Sequence, residues 1–415
     1  MADENIEYKF SKDDIDYLLT PKAVMDKAYQ IFRYAEEGHT NFNINLDRIP
    51  EVADFVLEVT KKNYPTLEIP FHSRWGHFNT PSLNRIEKFN KNLIGFDAKE
   101  RGRRKLDLVI TSVLLDAGAG DTWKFTDPET GEIIARSEGL ALASYHLFSE
   151  GHLSNDRSDP MRVDGEALKN LTVETVGMVF QVSDENPLVG LEGRTKLLNK
   201  LGDVLLKKKS VFKDSRPGNL VDYYEEMMGI DDQLTAEKIL LGVLEGLGEI
   251  WPGRIQLGRK NLGDVWSYPP FSRGKSTYDL IPFHKLSQWL TYSLIEPLME
   301  VGFNITRVEQ LTGLAEYRNG GLFVDGEVLS LKDPENLKKS HSPDSELVIE
   351  WRALTLVMID KVAEHIRNKL QKSEVDFPLP KVLEGGTWWA GRKLAKNKRE
   401  GGGPPIQINS DGTVF

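Results

Sequence analysis

The 415-residue chain has no cysteine. That absence removes thiol nucleophiles, disulfides, cysteine zinc sites and iron–sulfur clusters together, and leaves carboxylates, His, Lys, Arg, Tyr and hydroxyls to carry any chemistry. No apolar run approaches the roughly 18 residues that a membrane span requires, so a soluble protein without a membrane partner is expected. A basic surplus is missing too: 53 Lys and Arg face 63 Asp and Glu, a formal net charge of −10, which argues against a nucleic-acid partner. No strand is followed by GxGxxG, no P-loop is present and no fixed-period repeat emerges. The eight His lack metal-ligand spacing, so neither metal nor cofactor is expected. The opening MADENIEYKFSKDDID is acidic and resembles neither a secretory signal nor a transit peptide; the expected compartment is the cytoplasm.

What is present is mostly helical periodicity. Ile239, Leu240, Val243, Leu244, Leu247 and Ile250 share one face of a helix that Pro252 would stop. A second helix is predicted to open at Pro282, with Phe283, Leu286, Trp289, Leu290, Ser293 and Leu294 along one side. A third runs from about Leu347 to Leu370. Strand signals are brief: WKF and EIIARS around DPETG, LFV and EVLSL joined through Asp325 and Gly326, and IQINSDGTVF around an SDG turn. The pattern predicts a mainly α fold with a few short β-hairpins. Its expected parts are an N-terminal extension over 1–20, a helical catalytic unit over 21–385 and a C-terminal tail over 386–415. The tail should pack on the body because Trp388 and Trp389 are costly to expose; its basic run GRKLAKNKRE reads as solvated tail or as phosphate patch.

The stretch LTGLAEYRNGGLFVD sets Glu316, Tyr317 and Arg318 among small and apolar residues. Leu311, Leu314 and Ala315 suit a buried helical turn, and Asn319, Gly320 and Gly321 tolerate the left-handed conformation that ends a helix. A charged triplet at a helix terminus either forms its own Glu316–Arg318 pair or awaits a polar ligand, since an unpaired buried charge is costly. In FHSRWGHF, His72, Arg74 and His77 alternate with Phe71, Trp75 and Phe78, which makes either an anion cradle or a packed cationic cluster. Asp116 ahead of Ala-Gly-Ala-Gly marks a helix end; Asn186 before Pro187 reads as a turn residue, and Glu192 with Arg194 as a structural pair. Asp264, two residues before Trp266, is either an N-cap or a site residue. His284 and Lys285 fall in the predicted first turn of a helix, where cations are disfavoured unless an anion is bound; that points to phosphate.

HSRWGHF, SVLLDAGAG, RSEGLALAS, FQVSDENPLVGLEGR, PFHKLSQWLTYSLIEP, LTGLAEYRNGGLFVD, GGTWWAGR and SDGTVF resemble the fungal and bacterial uracil-catabolism protein 4 family, from about residue 20 onward. That family is tied to a route thought to open the ring of uridine monophosphate and to pass through a ribosylurea. More distantly, the order PFHKLSQWL, LTGLAEYR and ELVIEWRALTLVMIDKVAEHI is similar to the queuosine-salvage ribosyl hydrolases. Those are helical proteins resembling DNA glycosylases that cleave an N-glycosidic bond in a nucleoside monophosphate.

The resemblance implies a helical DNA-glycosylase-like bundle. It sets Glu316 in the place of a catalytic aspartate, Lys285 in that of a helix lysine, and Tyr317 and Arg318 in the rest of the motif. The implied activity is hydrolysis of the N-glycosidic bond of a ribosylurea phosphate, releasing urea and a ribose phosphate. Glu316 is then the candidate for the central carboxylate and Asp264 its catalytic companion. Lys285, His284, Arg74 and His72 are candidates for holding phosphate, Tyr317 and Arg318 for polar contacts, and Trp75 or Trp266 for a pocket wall. Two rival readings are an amidohydrolase step on a ring-opened product and a non-catalytic partner that channels an intermediate among uracil-degradation enzymes.

Overall fold

The computed structural model describes residues 10–116, 118–120, 122–229, 231–251, 255–272 and 276–409. Asp121, Pro252, Arg254 and the SDG turn at 410–412 lie outside them. The described residues form a mainly α fold in which paired strands are only two or three residues long. They fall into two compact units, one from Met1–His72, Trp251–Gln288 and Arg307–Phe415, the other from Ser73–Ile250 and Trp289–Thr306.

The first unit is organised by the helix Glu346–Leu370, whose every residue from Leu347 to Ile359 is buried. A helix covered all round is a core element rather than a surface one. The helices Pro21–Glu36 and Ile49–Asn63 pack against it. Pro21–Glu36 starts where its sequence says it should: the Thr20 hydroxyl accepts from the Ala23 amide and Pro21 takes the first position.

Three local expectations in this unit are corrected. Leu322, Phe323 and Val324 are not a strand but part of the helix Tyr317–Asp325. The following Leu329–Leu331 pairs antiparallel with Phe42–Ile44 instead. Gly320 does not stop that helix, because its bare Cα is a contact surface. A Cβ there would lie 2.8 Å from the Trp351 ring, and the Trp351 indole N–H donates to the Gly320 carbonyl at 3.1 Å. Close packing outweighs the poor helix propensity of glycine.

Pro282, second, does not open a helix; it ends the strand Leu280–Pro282, paired antiparallel with Val265–Ser267, and the helix begins at Lys285. Third, most of the C-terminal basic run is carried on the helix Trp388–Lys398, which packs against Tyr317–Asp325 through Gly391 set on the Arg318 carbonyl. Arg399 then grips Asp325 with two hydrogen bonds of 2.7 and 2.6 Å. Gln407–Ile408 runs parallel to Ser340–His341; the rest of the expected terminal hairpin lies outside the described residues.

The second unit is centred on the helix Ala98–Leu114, buried without a break from Arg104 to Leu114, with Arg136–Ser149 packed on it. The hairpin read around DPETG forms between Lys124–Thr126 and Ile133–Ala135. Asn186 locks it, accepting from the Lys124 amide and donating to the Lys124 carbonyl at 2.9 Å each. The helix Ala236–Leu247 buries Ile239, Leu240, Val243, Leu244 and Leu247 as the periodicity predicts.

Candidate functional site

Glu316 is the N-cap of the helix Tyr317–Asp325, so the charged triplet stands at a helix start and not at a helix end. Oε2 accepts from the Arg318 amide at 2.7 Å and Oε1 from the Asn319 amide at 2.6 Å. A glutamate with both oxygens held by main-chain donors cannot swing, and two of its roughly four lone-pair sites are used. The residue is only 8% exposed. Burial pushes its carboxyl above the ordinary glutamate value; the two amides, then the charges of Lys285 and His72, oppose that shift without cancelling it. The internal pair with the Arg318 guanidinium is not what holds it: Arg318 donates through Nη1 to the Gly402 carbonyl at 2.6 Å and lies 4.7 Å from the Tyr317 ring centroid.

Lys285 is positioned by Asp264. The Lys285 amide donates to Asp264 Oδ2 at 3.0 Å, so a carboxylate already caps this helix start. Arg352, fully buried, clamps Asp264 with Nη1 on Oδ1 and Nη2 on Oδ2, both 2.8 Å, and the Trp266 indole donates to Oδ1 at 2.7 Å. Burial alone would raise the Asp264 carboxyl. The Arg352 charge and hydrogen bonds, the indole and the Lys285 amide together overcome it and hold the group far below the usual carboxylate range. Asp264 is thus a joint among the strand Val265–Ser267, the core helix and the first turn bearing Lys285. His284 takes a left-handed backbone (φ 49°) and buries its ring. Its Nε2 lies 2.8 Å from the Leu18 carbonyl, which can only accept, so Nε2 carries the proton. Burial lowers its proton affinity below the ordinary histidine value.

His72 is fixed by a residue that pattern reading missed. Its Nδ1 lies 2.8 Å from Glu384 Oε2, while the Tyr64 hydroxyl donates to Glu384 Oε1 at 2.8 Å. Glu384 sits in a π-helical turn, Leu383–Thr387, a distortion that recurs at functional sites. Gly386 permits it: a Cβ there would come 2.6 Å from Val56 Cγ1 on the helix Ile49–Asn63. The signal was a carboxylate directly before two glycines. Arg352 was visible only as one of two charges, with Glu350, in the otherwise uncharged stretch from Leu347 to Ile359.

Arg74 and Trp75 belong to the second unit, where each is committed to partners. Arg74 is fully buried, paired to Asp116 at 2.8 Å and donating to the Ser137 carbonyl at 2.7 Å. The Trp75 indole donates to Glu300 at 2.8 Å. In the first unit the structure brings Glu316, Lys285 and His72 into electrostatic range, with Asp264, Trp266, His284, Tyr317 and Arg318 arranged around the elements that carry them.

Fold and site define a mainly α protein with a buried, amide-held carboxylate that has Lys285 and His72 in electrostatic range. Residues 17–415 match the family model described as "Protein of unknown function (DUF1688)", and the chain belongs to that family. It is similar to the "Uracil catabolism protein 4" of Lachancea kluyveri, 38% identical over an alignment 436 residues long that takes in 97% of this chain and 99% of that one. It is also similar to "Protein urg3" of Schizosaccharomyces pombe, 40% identical over an alignment 419 residues long that takes in 98% of this chain and 100% of that one. These full-length matches bear out the family resemblance drawn from the motifs.

Proposed function

We propose that this protein acts in uracil catabolism as an N-glycosyl hydrolase of a ribosylurea phosphate. The name of one relative supports the pathway; the observation that carries the reaction is Glu316, buried, fixed by two main-chain amides and flanked by Lys285 and His72. Breaking the bond between ribose C1′ and the urea nitrogen develops positive charge on the sugar, which a rigid nearby carboxylate stabilises. Glu316, its proton affinity raised by burial, takes a proton from water as the water oxygen bonds to C1′. The proton taken by Glu316 passes on to the departing nitrogen, which returns the carboxylate to its ionised form, and the products are urea and ribose phosphate.

Lys285 holds the phosphate as a point charge, with His72, oriented by Glu384, as its companion; anchoring a remote phosphate fixes the sugar for attack. Asp264 acts through position, setting Lys285 on its helix. Incubation with N-(5-phosphoribosyl)urea tests the reading: equal amounts of urea and ribose 5-phosphate support it. Ammonia would mean amide hydrolysis instead, and binding without any product would mean a carrier.

A further inference from the structure

Gln288 lies one helical turn beyond Lys285 on the helix Lys285–Met299, and residues three apart share a helix face with Cβ atoms about 5–6 Å apart. Its side chain is completely buried, yet among the described residues neither Oε1 nor Nε2 has a hydrogen-bond partner. A buried carboxamide with both ends unsatisfied is a large cost for a fold to carry, since each lost partner leaves a desolvated polar atom. Thr387, on the turn that holds Glu384, is likewise fully buried, with a hydroxyl that has no partner among the described residues. A primary amide offers a donor and an acceptor side by side. Its natural complement is another amide edge, an N–H beside a C=O, such as a carbamoyl or ureido group presents.

We infer that Gln288 recognises the ureido end of the substrate, pairing its carbonyl with an N–H and its amino group with the urea C=O. This rests on the ribosylurea reading above and extends it. Lys285 and Gln288 then read opposite ends of one ligand, phosphate and urea, with the scissile bond left to Glu316. The pairing also accounts for selectivity, because a ribose phosphate without an amide edge leaves Gln288 as unsatisfied as it is in the free protein.

The test uses the full chain carrying Glu316→Gln to prevent turnover, with and without Gln288→Met, which keeps the side-chain volume and removes both polar atoms. Calorimetric titration with N-(5-phosphoribosyl)urea should show affinity falling about 10- to 100-fold in the double variant. Affinity for ribose 5-phosphate should stay unchanged, and the ligand-free Tm should hold or rise, because an unpaired buried amide has been removed. Equal weakening for both ligands, or a lower ligand-free Tm, would overturn the assignment and make Gln288 a structural residue. Should the wild type bind the ureido ligand through Gln288 but release ammonia, the inference stands and the glycosidic reading falls. If urea is released and the Met variant loses no affinity, the glycosidic reading stands and the inference falls; binding of neither ligand removes both.

Discussion

Arg352 holds Asp264 with two parallel hydrogen bonds of 2.8 Å, and Asp264 in turn accepts the Lys285 amide at 3.0 Å. A buried guanidinium on the core helix thereby sets where the lysine-bearing helix begins. The contact is a positioning device: Asp264 has no lone pair to spare for proton transfer once Arg352, Trp266 and Lys285 are served.

Arg352→Met should therefore cost about 3–5 kcal/mol in urea denaturation, the scale for leaving a buried charge without its partner. The sign of the pH effect follows from the depressed Asp264 carboxyl. Its stabilisation is complete above the ordinary carboxylate value and is lost as pH falls through the lower, folded-state one. The wild type should lose stability on acidification over that window, and Arg352→Met should lose much of this slope. An unchanged denaturation midpoint would show that the pair does not hold the helix start.

Lys285→Ala should weaken binding of a ribosyl phosphate by about tenfold or more while leaving the unphosphorylated riboside nearly unaffected, because a charge-assisted contact is lost from the first and none from the second. Equal loss on both ligands would remove Lys285 from the phosphate site.

Glu316 gives the opposite pH sign to Asp264. Burial raises its carboxyl above the ordinary value of 4.5, so kcat/KM should fall on acidification with a limb above that of an exposed glutamate. Its ionisation also costs folding stability, absent below the unfolded-state value and incurred as pH rises through the folded-state one. Glu316→Gln should accordingly gain Tm relative to the wild type as pH rises through this window. A parallel pair of Tm profiles would contradict the raised proton affinity.

Much of the helical framework was legible because Glu346–Leu370 and Ala236–Leu247 repeat apolar residues at helical spacing, and Glu316 drew notice as a carboxylate in an apolar stretch. Which end of the helix it occupies was not legible. Gly320 and Gly321 look like stop signals locally, and only Trp351 and Pro405, distant in sequence, show them to be packing surfaces. Arg74 and Arg352 illustrate the same limit. Each is a buried arginine, but one answers Asp116 in the second unit and the other Asp264 beside Lys285, and no local pattern separates them. His72 was found through its aromatic neighbours, whereas its partner Glu384 lies 312 positions away.

Cleavage of the ribose–urea bond by way of Glu316 is read out by single-turnover release of urea from N-(5-phosphoribosyl)urea. Glu316→Gln should slow release by about two orders of magnitude or more while retaining substrate affinity and a Tm no lower than that of the wild type at neutral pH, and Glu316→Asp should keep partial activity. Urea release from Glu316→Gln at close to the wild-type rate would show that Glu316 is not the catalytic carboxylate.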